Sequence, residues 1–389
     1  MKKKILVLCF TDTRHDMRVA RQIDFLKDTY HVSFAGYQVH CPDEITFLPL
    51  PQVPLTPVRK SALASLLLAR QYETAYWVQY PYQWLREHTD QEQYDIILAN
   101  DIESLPLAFY LKGDSSARVV FDAHEYAPRH FEDRLYWRVF FQGFNTYFCK
   151  KFIPRVDRMF TVCDGLAEAY EQNFGVRPLI MTNAASYHDL APSPVAEDAV
   201  RLIHHGVITL SRKIENMITM MDHVDERFSL DIMLKLTSTA SHKTKEYLKH
   251  LQDLAATKSN VRIIPPLPSR DIVPFIHQYD LGISFFLPVN FNYTHALPNK
   301  LFDFVQARLG VGISPSKEMK KVVEKYQLGV VASDFSPRAL ASQLNRLTRT
   351  DVETFKQNSH QAARELSAEH NRKLLLNTLL TLEEEPLLS

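Results

Sequence analysis

The chain has 389 residues with 46% hydrophobic content, enough for two or three well-filled domains. Its 45 Lys and Arg balance 45 Asp and Glu, so no global field draws it to nucleic acid and any anion site must be local. Cys9, Cys41, Cys149 and Cys163 form no CxxC pair and lack clustered histidines, which argues against a structural zinc site and a disulfide framework and points to a reducing cytoplasm.

After Met-Lys-Lys-Lys, the apolar run Ile5 to Phe10 is too short for a signal-peptide core and reads as a first buried strand. A helical pattern through Val19, Ile23 and Leu26 follows, then strands at Val32 to Tyr37 and Ile45 to Leu50. A long helical region from Ser61 to about His88, broken near Pro81, leads to strands at Asp95 to Ala99, Arg118 to Ala123, Arg158 to Val162 and Leu179 to Met181. The aromatic-rich stretch Leu135 to Phe152 carries Arg138, Gln142, Asn145, Lys150 and Lys151, too polar for a spanning helix. A buried helix is the expectation there, with a membrane-surface helix as the alternative.

The stretch Ser186 to Ala199, with Pro192, Pro194 and several acidic residues, reads as a linker. A second series of strands follows at Val200 to His205, Leu230 to Leu236, Val261 to Ile264, Leu281 to Phe286, Val311 to Ser314 and Val330 to Ala332. Short apolar runs alternating with helices imply parallel sheets covered on both faces, here two doubly wound α/β domains in tandem with a cleft between them for a ligand. Domains are expected at 1–188 and 189–365, with 366–389 as a helix packing back toward the first.

Candidate chemistry lies at the carboxyl ends of these strands. Asp122, His124 and Glu125 place an imidazole and two carboxylates at one lip, with His124 as a proton acceptor or a contact to a sugar hydroxyl. Asp101 and the cluster Asp12, Arg14, His15, Asp16 and Arg18 are expected along the same edge, Arg14 and Arg18 as contacts to an anion or as helix-start ion pairs. In the second domain His204-His205-Gly206 ends a strand, and Arg212 and Lys213 stand at a helix start, poorly placed for its dipole and so suited to an external anion such as diphosphate, with ordinary solvated charge as the alternative.

The stretch Tyr293 to Pro315 organises the rest. Pro298 suits a first helical turn, Asn299 can cap it, Leu301, Phe302, Phe304, Val305 and Leu309 form its apolar face, and Gly310 ends it. Asn299, Lys300 and Asp303 then share the opposite surface near free amides and the positive dipole end, which suits phosphate and vicinal hydroxyls; a solvated Lys300–Asp303 pair is the plain alternative. No Gly-x-Gly-x-x-Gly after a strand, Walker A loop, His-Glu-x-x-His or Gly-x-Ser-x-Gly is present, and only ten glycines occur, so phosphate must be held by helix ends and cations.

Asp122-Ala-His124-Glu125, His205-Gly206 with Arg212, and above all Leu297-Pro298-Asn299-Lys300-Leu301-Phe302-Asp303-Phe304 resemble glycosyltransferase family 4, retaining enzymes of the GT-B fold. The resemblance implies transfer of a sugar from a nucleotide diphosphate sugar to an acceptor hydroxyl, without a required metal or other cofactor, in bacterial surface polysaccharide or glycoconjugate synthesis. It implies a glycan or lipid-linked acceptor, held on the first domain by Asp16, Arg18, Asp101 and Glu125, and peripheral contact with the inner face of the membrane. On the donor side it places Asp303 at the ribose hydroxyls, Asn299, Lys300, Arg212 and Lys213 with Gly206 at the phosphates, Pro266 and Leu267 at the base, and His124 near the reaction centre. His295 stands where the family has its first glutamate, and Val207 where an arginine commonly follows the glycine.

Overall fold

The structure is a computed structural model that describes residues 2–13, 16–38, 43, 45–237 and 240–386. By its contacts the chain divides into two units. The first runs to Thr182 and includes Asn290–Asn292 and the chain from Arg372 onward; the second comprises Asn183–Val289 and Tyr293–Asn371.

In the first unit the short apolar runs become β1 (Lys4–Leu8), β2 (His31–Gly36), β3 (Thr46–Pro49), β4 (Ile96–Asn100), β5 (Arg118–Ala123), β6 (Arg158–Thr161) and β7 (Leu179–Ile180). They form one parallel sheet in the order β3-β2-β1-β4-β5-β6-β7. The central strands are buried along almost their whole length, as strands covered on both faces must be. Ile5, Val7, Ile96, Leu98 and Val120 pack against Val19 and Ile23 of the helix Met17–Leu26 and against Leu375, Leu379 and Leu382 of the helix Ala368–Glu384. Strand order reverses between β1 and β4, and the register aligns Asn100 with Asp122, so the segments after β4 and β5 emerge side by side.

The helical region after residue 56 is three helices, Pro57–Leu68, Tyr72–Gln79 and Leu85–Glu92, the first capped by the Thr56 side chain. Besides the expected break at Pro81 there is one at Arg70, whose φ is +57°. The stretch from Leu135 is continuous, a turn (Leu135–Trp137), a π-helical segment (Arg138–Gln142) and the helix Gly143–Phe152. It departs from the buried helix expected: Trp137, Phe144, Phe148 and Phe152 are buried, while Leu135, Tyr136 and Val139 face solvent. Helical aromatic content alone does not distinguish one apolar face from two.

The second unit contains β8 (Val200–Val207), β9 (Phe228–Lys235), β10 (Val261–Ile264), β11 (Leu281–Ser284), β12 (Gly310–Ile313) and β13 (Gly329–Val331), again all parallel, in the order β10-β9-β8-β11-β12-β13. Its reversal point lies between β8 and β11. Leu202, Leu230, Ile232, Leu281 and Ile283 pack on Met217, Ile218, Leu340 and Leu344.

The helix after Pro298 differs from expectation at both ends. Pro298 occupies the cap position, the helix is Asn299–Gln306, and no side-chain hydrogen bond caps it, so Asn299 is an exposed first residue and its amide stays available. The helix ends at Gln306, and Arg308 takes the left-handed turn at φ +61°. Gly310 already begins β12, where a Cβ would lie 2.5 Å from Leu281 Cδ2 and 2.9 Å from Phe355 Cβ.

Arg308 tolerates that conformation because its buried guanidinium donates to four backbone carbonyls, those of His188, Leu190, Val305 and Gln306. Two of these carbonyls belong to the segment that composition reads as a linker.

Candidate functional site

Gly206, one residue before the end of β8, has φ +149°. A Cβ there would lie 3.2 Å from Lys300 Nζ and 3.4 Å from Arg212 Nη1, so the two cations and this bare backbone converge on one point. Lys300 comes from the first turn of the helix Asn299–Gln306 and Arg212 from the 3₁₀ turn Leu210–Arg212.

Each member is held from behind. His204 Nδ1 lies 2.7 Å from the Ile283 carbonyl and must donate to it, which leaves Nε2 as the acceptor facing Lys300 Nζ at 3.4 Å. Burial, then the Lys300 charge, pushes His204 well below the usual histidine value, in keeping with that neutral tautomer. Lys300 is itself pushed well below the usual lysine range by burial and by Arg212, with Asp303 opposing. Arg212 donates to the Val207 carbonyl at 3.3 Å and lies over the Phe286 ring, and its Nε is buried without a hydrogen-bond partner. Ser211 and Tyr293, whose hydroxyls are 2.9 Å apart, complete this wall.

Asp303 lies one turn beyond Lys300 with Oδ2 3.5 Å from His205 Nε2, a separation at the limit of hydrogen bonding that leaves Nε2 buried and unsatisfied. Burial, with Lys300 and Arg212, lowers His205 to about 3, so it is neutral at physiological pH. Two cationic side chains that repel each other in a desolvated setting, next to free helix amides, are an arrangement suited to an anion.

Other residues expected at this site lie elsewhere. Lys213, with φ +48°, is exposed and reaches Glu215 at 3.6 Å; the left-handed turn separates it from Arg212. Pro266 is exposed and Leu267 half-buried in the loop after β10, at the same sheet edge but two strands from β8. His295 is buried with Nδ1 3.2 Å from Glu318 Oε1, and Glu318 also pairs with Lys321 at 3.1 Å. Burial pushes Glu318 up, but His295 and Lys321 hold it below the usual carboxylate range. Glu318 is 23 residues from His295, and nothing in the local spacing announces the pair.

In the first unit the carboxylates and the imidazole do gather, as an internal network. Arg18 is buried and forked onto Asp122, Nε to Oδ2 and Nη2 to Oδ1 both at 2.7 Å, with Nη1 donating to the Met181 carbonyl at 2.6 Å. Of the two alternatives expected for Arg18 it is the ion pair, but with Asp122 on β5 and not with a neighbour at the helix start. Burial pushes Asp122 up, but the Arg18 charge and His124 hold it well below the usual range. Asp16 is the cap of the helix Met17–Leu26, accepting from the amides of Arg18 and Val19 at 3.2 Å each. Arg14 and His15 lie outside the described residues.

His124 donates from Nδ1 toward Asp101 at 3.2 Å, and its Nε2 lies 3.1 Å from Asn100 Oδ1 and 3.5 Å from Asp122. Burial lowers its pKa, yet Asp101 and Asp122 raise it to about 9, so at neutral pH the ring is an imidazolium that donates hydrogen bonds and does not accept a proton. Asp101 holds φ +60° and also accepts the His124 amide at 3.1 Å. Glu125 is exposed and pairs with His130 at 2.6 Å.

The His124 proton is bound more tightly in the folded chain than in the unfolded one. Its contribution to stability is therefore complete below about pH 6.5 and is lost as pH rises through about 9. Urea unfolding of the wild type between those limits should lose stability by about 1 kcal/mol per pH unit relative to His124→Gln; parallel profiles would refute this account of the network.

Residues 58–184 match the family Glycosyltransferase Family 4. No curated protein matches the chain. Among solved structures, sucrose-phosphate synthase from Thermosynechococcus elongatus is 13% identical with a TM-score of 0.69, covering 98% of this chain and 100% of its own. HepE from Anabaena, in complex with UDP and glucose, is 14% identical with a TM-score of 0.65, covering 97% and 100%. WaaG, a glycosyltransferase involved in lipopolysaccharide biosynthesis, is 12% identical with a TM-score of 0.65, covering 95% and 99%. The chain thus has the GT-B fold of these glycosyltransferases, and its residues 58–184 match Glycosyltransferase Family 4.

Proposed function

We propose that the protein transfers a sugar, with retention of configuration, from a nucleotide diphosphate sugar to an acceptor hydroxyl. The observation that carries this reading is the meeting of Lys300, Arg212 and the bare backbone of Gly206 beside an uncapped helix start. The diphosphate sits against the two cations and the amides of Asn299 and Lys300, and Asp303 takes the ribose hydroxyls. HepE, of the same fold, is crystallised with UDP-glucose, which supports a diphosphate donor here.

As the bond from the anomeric carbon to phosphate breaks, its electron pair passes to the departing phosphate oxygen. Arg212, Lys300 and the helix amides stabilise that charge, so the reading needs no resident cofactor. The acceptor hydroxyl attacks the same carbon and gives its proton to the departing phosphate oxygen. The His124 imidazolium, whose two ring N–H groups face Asp101, Asn100 and Asp122, is not the base. Asp101, half-buried, and Glu125, exposed, are the remaining acceptor-side candidates, since Arg18 is buried on Asp122 and Asp16 caps its helix. The acceptor we propose is a glycan or lipid-linked saccharide in cytoplasmic glycoconjugate synthesis; among the described residues no helix is long and apolar enough to cross a membrane.

A second reading, a catalytically silent nucleotide-sugar-binding homologue, is favoured by the engagement of His295 with Glu318 at the position where the family carries a glutamate. Incubation with a panel of nucleotide sugars separates the two. Slow release of free nucleotide, accelerated by an acceptor, is the expected result; binding without release under both conditions supports the silent homologue. A changed sugar still attached to nucleotide would instead reveal an epimerase.

A further inference from the structure

We propose that the first unit carries a ligand site of its own, a cavity walled by the helices Tyr72–Gln79, Asp101–Lys112 and Gly143–Phe152 that takes a small planar aromatic carboxylate. The cavity has a volume of about 260 Å³. An apolar cavity of about 150 Å³ accommodates benzene, so this one has room for a fused two-ring system. Six rings line it: Tyr76 and Trp77 from the first helix, Phe109 and Tyr110 from the second, Phe148 and Phe152 from the third. They meet in pairs, Trp77 edge-on to Tyr110 at 5.0 Å, Tyr76 to Phe148 at 5.3 Å, and Phe109 stacked with Phe152 at 5.0 Å. Rings that line a gap forfeit dispersion contacts on that side, and a flat guest restores them.

The charges at the mouth decide the sign of the guest. Glu73, Lys151 and Arg155 stand there. Glu73 is already engaged, accepting from both Tyr147 and Lys151. Arg155, in the 3₁₀ turn Ile153–Arg155, is exposed and forms no salt bridge among the described residues. Its guanidinium lies over Phe109 and Phe152, 4.6 and 5.6 Å from the ring centres, and Lys151 Nζ is 5.4 Å from the centre of Phe152. A cationic guest, which aromatic walls would otherwise favour, meets both of these cations. A carboxylate instead finds a guanidinium fork already laid along the wall.

Position separates this guest from the transfer chemistry. The helix Asp101–Lys112 starts at the carboxyl end of β4, and Phe109 lies about 12 Å of helical rise beyond Asp101. Arg155 stands just before β6 begins. The cavity therefore sits toward the amino edge of the sheet, opposite the strand ends that carry Asp101 and Glu125, and its guest is an effector and not a substrate.

The test is calorimetric titration of the full chain with naphthoate, with its neutral isostere naphthamide and with trimethylphenylammonium. Fluorine NMR of protein labelled with fluorotryptophan locates the guest. Wild type should bind naphthoate about ten-fold more tightly than naphthamide, and should not bind the ammonium. Arg155→Gln should erase that preference and leave naphthamide binding as it was; the side chain is exposed, so the thermal midpoint should not move. Of the three tryptophan resonances, the one missing in Trp77→Phe should shift with naphthoate, and those of Trp84 and Trp137 should not. No naphthoate binding, an undiminished preference in Arg155→Gln, shifts confined to Trp84 or Trp137, or tighter binding of the ammonium would each overturn the proposal. So would a wild-type dimer that naphthoate dissociates, which would give the cavity to a second copy. None of these outcomes depends on Lys300 or Arg212, so they leave the donor-site reading untouched.

Discussion

Arg212→Ala and Lys300→Met are each expected to weaken nucleoside diphosphate binding by about 1.5 to 3 kcal/mol, the range for hydrogen bonds to charged groups. The two changes should not add, because both cations face the point left open by Gly206 and the Arg212 charge lowers the Lys300 proton affinity. In the free protein the effect of Lys300→Met is different. It strips His204 Nε2 of its donor, but it also removes a desolvated charge repelled by Arg212, so unfolding free energy should stay within about 1 kcal/mol of wild type. Calorimetric titration with UDP and GDP measures the first quantity and urea unfolding the second. Full diphosphate affinity in both variants would remove the proposed site, and a large loss of stability would show that the cations hold the fold and not a ligand.

The largest effect on stability belongs to the first unit. Arg18→Ala should cost about 3 to 5 kcal/mol, the usual consequence of leaving one member of a buried ion pair alone. Asp122 would remain wholly buried with only Gln22 and His124 beside it, its two guanidinium bonds gone. Replacing both members together, as Arg18→Met with Asp122→Leu, should recover most of the loss, since well-packed apolar groups often match a buried pair. Urea midpoints of the two variants decide the matter. A shift of less than about 1 kcal/mol for Arg18→Ala would mean that Arg18 is free to serve a ligand after all.

The sheets are legible in the sequence because each strand is a short apolar run covered on both faces, as Ile96–Asn100 and Leu281–Ser284 show. The convergence of Arg212, Lys300 and Gly206 is foreshadowed for a related reason: doubly wound topology delivers the ends of strands near a reversal point to one place. What the sequence conceals is set by partners far along the chain. Arg18 reads as an anion contact or a partner of its helix-start neighbours because Asp122 lies 104 residues away. Glu318 reads as an ordinary first-turn acid until the fold brings His295 against it. Helix ends are concealed too, since a buried arginine takes the left-handed turn at 308 that glycine usually fills.

The four carbonyls gathered by Arg308 bear on how the molecule can be divided. A recombinant fragment starting at Asp189, just after the apparent linker begins, would discard the His188 carbonyl and leave part of a buried guanidinium unsatisfied. One starting at Asn183 keeps the full acceptor set. Of two such truncations differing by six residues at the amino end, the shorter should be the one recovered from inclusion bodies.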